Sequence, residues 1–128
     1  MILDTSAIVA ILLQQPDHES LQTRLAGAFS LGIGTPTLMA AAIVLSARLE
    51  RDAQGIIARF VQEIDAVVIP FREAHYSAAH QAWLNFGKGR HPAALNYGDC
   101  AAYATALLAA EPLLCLGNDF AQTDLELA

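Results

Sequence analysis

Three aspartates hold most of the chemical potential of this 128-residue chain: Asp4, Asp99 and Asp119. Asp4 closes a minimal apolar strand, Met1-Ile2-Leu3, and Thr5-Ser6 and a helical apolar run follow at once. A carboxylate at the end of a first strand, with hydroxyls opening the next helix, sits where open α/β sheets place their crevice. Asp99 and Asp119 fall at comparable junctions further along. Carboxylates gathered at one sheet edge repel one another, and a divalent cation is the usual neutraliser. Mg2+ takes oxygen ligands, keeps several waters and uses few carboxylates alongside substrate phosphate. Bound there, it polarises a phosphoryl oxygen and orients an attacking water; Mn2+ shares the preference for oxygen. Asp4 and Asp99 are the expected primary ligands, with Asp119 direct or through water. Ser6, Thr5 and Asn118 are expected to hold a carboxylate or phosphate oxygen by hydrogen bonds.

Each acid also has a plain structural use. Asp4 can cap the first helix, Asp99 stands three residues after Asn96 at capping-box spacing, and Asp119 can cap a last helix before Phe120. The joint placement at element junctions favours a site over three separate caps. Lys88, Arg90 and His91 form the one compact basic stretch, in a Gly- and Pro-flanked loop just before Asn96, placed for phosphate contact. His75 and His80 stand five apart, so they do not share a helical face as a metal pair would, and read as partly exposed. Trp83, Phe86 and Tyr97 read as core or groove wall rather than as a base-stacking platform. Cys100 and Cys115 lie in apolar surroundings without zinc spacing and read as buried free thiols.

The elements that must position these residues alternate along the chain. Residues 1–4 read as a short buried strand and 6–14 as a helix ended by Pro16. Asp17 is expected to cap a second helix through about residue 26. Residues 31–34 give a weak strand signal. Thr35-Pro36 opens a long helix whose interior, 38–49, is apolar nearly all round until Arg48, which predicts burial on more than one side. A helix over 55–64, a β-branched strand over 66–69, a helix over 73–86 and a loop over 87–92 follow. Residues 96–110 read as a helix, 113–116 as a strand, and Gly117-Asn118 leads into a short last helix. Short apolar strands alternating with helices mean parallel βαβ units in a layered α/β sheet. The length suits one domain, 1–128, with no repeat or linker.

Composition narrows the class. A hydrophobic share of 55% against 16% charged excludes disorder, and the apolar excess points to buried subunit contact, with the 38–49 helix as the expected dimer surface. No apolar run is long enough for a bilayer and no secretory leader is evident, so a cytoplasmic location is expected. A net charge of −6 argues against passive duplex binding through a basic face. It is compatible with an acidic centre that reaches phosphate through a cation.

The stretches MILDTSA, GTPTLMAAAIVLSAR, GKGRHPAALNYGDCAAYA and LLCLGNDFAQTDL occur in order over essentially the whole chain. Together they resemble the successive blocks of the PIN-domain family, specifically the VapC-type toxins of bacterial toxin–antitoxin pairs. The resemblance implies a three-layer α/β/α domain with a central parallel sheet, Mg2+- or Mn2+-dependent endoribonuclease activity, and a homodimer. It also implies neutralisation by a cognate VapB-type antitoxin, whose tail would lie over the acidic cleft. Asp4, Asp99 and Asp119 match the family's metal-site acids, and Ser6 their polar neighbour.

One position departs. The family's second block carries a glutamate after the Thr-Leu-aliphatic step, whereas Thr37-Leu38-Met39 is followed here by Ala40. Glu50, ten residues on, is about three helical turns away and cannot stand in. Loss of that carboxylate is expected to weaken metal support by roughly 10–100-fold. A silent PIN-like module that binds antitoxin or RNA is the competing reading. A phosphoacceptor receiver-like domain fits less well, because Asp4 lacks a paired acid and Leu116, not a lysine, precedes Gly117. Removing one member of a repelling cluster should also stabilise the fold. The Ala40→Glu variant is therefore predicted to melt below the parent chain in EDTA; a higher melting temperature for the variant contradicts this trade.

Overall fold

Ile2 and Leu3 project to opposite faces of one strand, as successive strand residues must, and each seeds a separate core. Leu3 packs with Ile8, Leu21, Ile33, Leu45 and Ile57, while Ile2 packs with Ala82, Ala102, Tyr103 and Leu113. A computed structural model describes residues 1–128. Its elements run β1 (Ile2–Leu3), α1 (Thr5–Leu12), α2 (His18–Ala26), β2 (Gly32–Gly34) and α3 (Thr35–Leu49). They continue with α4 (Gln54–Glu63), β3 (Val67–Ile69), α5 (Glu73–Phe86), α6 (Tyr97–Ala109), β4 (Leu113–Leu114) and a 3-10 turn over Phe120–Gln122. The four strands form one sheet in the order β3-β2-β1-β4, every pair parallel. Helices α1 to α4 supply the core on one face, and α5 and α6 the core on the other. This is the three-layer α/β/α arrangement anticipated above.

Each core has a local cause. In α1 the five residues from Ala7 to Ile11 are all buried, so the helix is enclosed nearly all round. In α6 the run from Cys100 to Ala106 is buried throughout, and its alanines let α5 and the sheet approach closely. Each fully buried leucine or isoleucine contributes about 1.5–3 kcal/mol. Gly34 marks the tightest approach of β2 to α6: a Cβ there would stand 2.8 Å from the Thr105 hydroxyl. Thr105 is buried and satisfies itself by donating to the Ala101 carbonyl at 2.8 Å.

The structure corrects four expectations. Helix α3 buries only Thr37, Ala41 and Leu45, a single i, i+4, i+8 stripe, and leaves Met39 and Ile43 largely exposed. Its apolar surround is thus an uncovered face and not a second core contact. His75 is buried, not partly exposed: its ring lies 5.3 Å from that of Phe71, and its Nδ1 accepts from the Arg72 amide at 3.1 Å. Asp17 stands at the start of α2 with φ 73° and makes no side-chain cap. The last segment, read as helical only, also extends along β4 through a parallel bridge between Leu113 and Leu127. That bridge covers one sheet edge, which an unpaired strand would otherwise expose.

Candidate functional site

The chain leaves β1 toward β2 and β3 on one side, while β4 pairs with β1 on the other. The direction of winding therefore reverses between β1 and β4, and the crevice beyond their C-terminal ends is the expected ligand position. Asp4 follows β1 directly, with its amide donating to Leu114 of β4 at 2.9 Å. Its side chain caps α1 by accepting from the Ser6 amide at 3.1 Å and from the Ser6 hydroxyl at 2.6 Å, both on Oδ2. The Ser6 hydroxyl in turn accepts from the Leu116 amide at 2.9 Å. One serine thereby ties the carboxylate after β1 to the backbone after β4.

Asp99 sits in the first turn of α6. Its Oδ2 accepts from the Asn96 amide at 3.0 Å, and its own amide donates to Asn96 Oδ1 at 2.9 Å. This reciprocal pair is the capping box suggested by the spacing, and it holds the carboxylate at the mouth of the crevice. Asp4, Thr5 and Ser6 join Ala40, Asn96 and Asp99 around one cavity of about 570 Å³, with Val9, Val44, Tyr97 and Gly98 completing its wall. Ala40 thus turns toward the acids, and a longer acidic side chain at that position would enter the cavity.

Asp4 is 6% exposed, so burial raises its pKa above the ordinary aspartate value; the Ser6 bonds oppose the rise, and the Asp119 charge adds to it. Burial likewise raises Asp99, opposed by the Asn96 bond and reinforced by the charges of Asp4 and Asp119. Asp4 thus feels the charge of Asp119, and Asp99 those of Asp4 and Asp119. No basic group answers them, because the two ion pairs of the chain join the N-terminal amine to Glu111 and Arg59 to Glu63. Burial pushes both thiols up to about 11, with Asp99 adding at Cys100 and Asp4 at Cys115. Neither thiol is a nucleophile at neutral pH.

The remaining candidates lie further out. Asp119 is exposed and caps nothing with its side chain. Asn118 is exposed, and its backbone carbonyl, not its side chain, accepts from Gln122 at 3.4 Å. Lys88 and Arg90 do not line the cavity. Arg90 is engaged elsewhere, donating to the Leu84 carbonyl at 3.2 Å and lying 5.0 Å from the Trp83 ring centre. No group of three or more His, Cys, Asp or Glu side chains converges closely enough to hold an ion. The acids form an open array and not a closed cage.

That array still fits a hard cation. Its donors are carboxylate and hydroxyl oxygens, with no sulfur or imidazole in the wall, and Mg2+ is commonly held by one or two carboxylates plus water and phosphate. Asn96, expected only as a helix start, also lines the cavity, and Tyr97 takes the groove-wall place that was one of its two expected positions. The Asn-x-x-Asp spacing was the available signal for Asn96.

The family model for the PIN domain matches residues 1–126. This chain belongs to the PIN-domain family, within its VapC-type toxins. It is 49% identical over 127 residues to Ribonuclease VapC36 of Mycobacterium tuberculosis, covering 98% of this chain and 91% of that protein. Among solved structures it resembles the M. tuberculosis sarcin-ricin loop-cleaving toxin VapC20, at a TM-score of 0.79 and 15% identity over 97% of this chain and 95% of that one. A Klebsiella pneumoniae toxin–antitoxin complex matches at a TM-score of 0.69 and 18% identity, over 96% of this chain and 92% of that one. These two structural likenesses speak for the fold. No helix is long and apolar enough to cross a membrane.

A raised carboxylate pKa contributes stability that is complete below the ordinary value of about 3.9 and is lost as pH rises through the folded value. In EDTA the Asp4→Asn variant should therefore gain on the parent in melting temperature as pH rises from about 4 to neutrality. A difference that stays constant over that range would show that the buried charge does not burden the fold.

Proposed function

We propose that residues 1–128 form a single PIN domain acting as the toxin of a VapBC-type pair, a Mg2+- or Mn2+-dependent endoribonuclease whose activity Ala40 reduces or abolishes. The observation that carries this reading is Asp4, a buried carboxylate with Asp99 on the same cavity and no protein cation beside it. When bound, the metal supplies Lewis-acid activation of the phosphoryl oxygen and of water. Asp4 and Asp99 would hold it, with Asp119 contributing through water. Ser6 keeps Asp4 fixed against the end of β4. Thr5 and Asn118 would hydrogen-bond phosphate oxygens, while Lys88 and Arg90 would contact the RNA backbone further out. The relatives, a ribonuclease and a toxin–antitoxin complex, support RNA as substrate and an antitoxin as partner.

The exposed Met39 and Ile43 on α3 support a homodimer built on that face. Ala40 favours the second reading, a silent module that binds antitoxin or RNA. In the family pattern a glutamate at this position would complete the acidic wall; here the wall carries a methyl.

Cleavage of a tRNA pool in Mg2+, Mn2+ or EDTA separates the two readings. Ala40→Glu should cut with metal only, roughly 10–100-fold faster than the parent chain, and Asp4→Ala should not cut. Absence of metal-dependent cutting by Ala40→Glu would overturn the nuclease reading.

A further inference from the structure

Against the acidic cavity lies a second one of about 390 Å³, walled by Phe71, Tyr76, Trp83 and Tyr97 over Cys100 and Ala101. Tyr97 belongs to both cavities, so the aromatic groove begins where the acidic cavity ends. The rings are not core: Tyr97 is 87% exposed, Tyr76 64% and Trp83 39%. Trp83 and Tyr97 therefore follow the groove-wall alternative of the sequence-based reading and not the core one.

Their placement is built in. A Cβ on Gly87 would stand 2.4 Å from the Trp83 carbonyl oxygen and 2.5 Å from the indole Cδ1, so only glycine permits the α5 terminus to fold against that ring. The Arg90 guanidinium lies 5.0 Å from the indole centre and is anchored by the Leu84 carbonyl. A positive group is thus held over the Trp83 ring, next to the groove but outside its lining, in a chain whose overall charge is −6.

We infer that this groove is a stacking subsite for an unpaired nucleotide of single-stranded RNA, next to the phosphate presented to the acidic cavity. Proteins grip unpaired bases between aromatic faces and arginine planes. With seven basic residues against thirteen acidic ones, phosphate neutralisation alone is a poor source of affinity, whereas stacking does not depend on net charge. The cavity volume lies at the lower end of small-ligand sites, about 300–1,000 Å³. The inference rests on the ribonuclease reading and assigns the recognition of one base.

Trp83 is the only tryptophan, so its fluorescence reports the groove directly. The full chain is titrated in Mg2+ and in EDTA with a short single-stranded RNA, while anisotropy of labelled RNA reports binding independently. Quenching of Trp83 that follows the binding curve is the expected result. Tyr97→Ala should weaken binding roughly 5–150-fold, and Tyr97→Phe should restore it. RNA binding with unchanged Trp83 emission, or with Tyr97→Ala binding normally, overturns the subsite and leaves the nuclease reading standing. Failure of the RNA to bind at all overturns both. Emission that shifts with protein concentration in the absence of RNA means that a second copy covers the groove, which also overturns the inference.

Discussion

A carboxylate withdrawn from water, with no cation beside it, is the constraint on which this structure turns. Asp4 sits between the ends of β1 and β4, and its charge is tolerated because Ser6 gives it two hydrogen bonds while gripping the Leu116 amide just after β4. A buried carboxyl group with no compensating cation normally loses its proton only at elevated pH. The sheet topology explains why the acid is there: the crevice between β1 and β4 is the one place where the chain reverses its winding.

The helices serve this point from both faces. Helix α6 enters the core as a buried small-residue helix and delivers Asp99 in its first turn, with Asn96 locking the carboxylate in place. Helix α3 brings Ala40 to the opposite wall while its Thr37, Ala41 and Leu45 stripe fixes the helix against the core. A single side chain on α3 therefore changes the acidic wall without disturbing what holds the helix. Tyr97, two residues before Asp99 in the same first turn of α6, joins the acidic cavity to an aromatic one.

The order of strands and helices and the acids at the β1 and α6 junctions were legible in the sequence, because short apolar runs, capping spacing and turn residues are local signals. What was not legible depended on tertiary packing. The apolar surround of α3 predicted burial on several sides, yet hydrophobicity cannot say whether a face meets a core or stays open, and Met39 and Ile43 stay open. His75 appeared half-exposed by helical position, but the Phe71 ring and the Arg72 amide draw it inside. Asp17 has the residue type of a helix cap without the geometry of one. Sequence also could not show that the acids form an open array, since that is a matter of distances across three elements.

Calorimetric titration with Mn2+ and Mg2+ tests the central claim most directly, comparing the parent chain with Asp4→Asn and Ala40→Glu. Divalent-ion binding by the parent, its loss in Asp4→Asn, and roughly 10–100-fold tighter binding in Ala40→Glu are the expected results. Equal affinity in the parent and in Asp4→Asn would contradict it, because the buried carboxylate would then have no part in holding the ion.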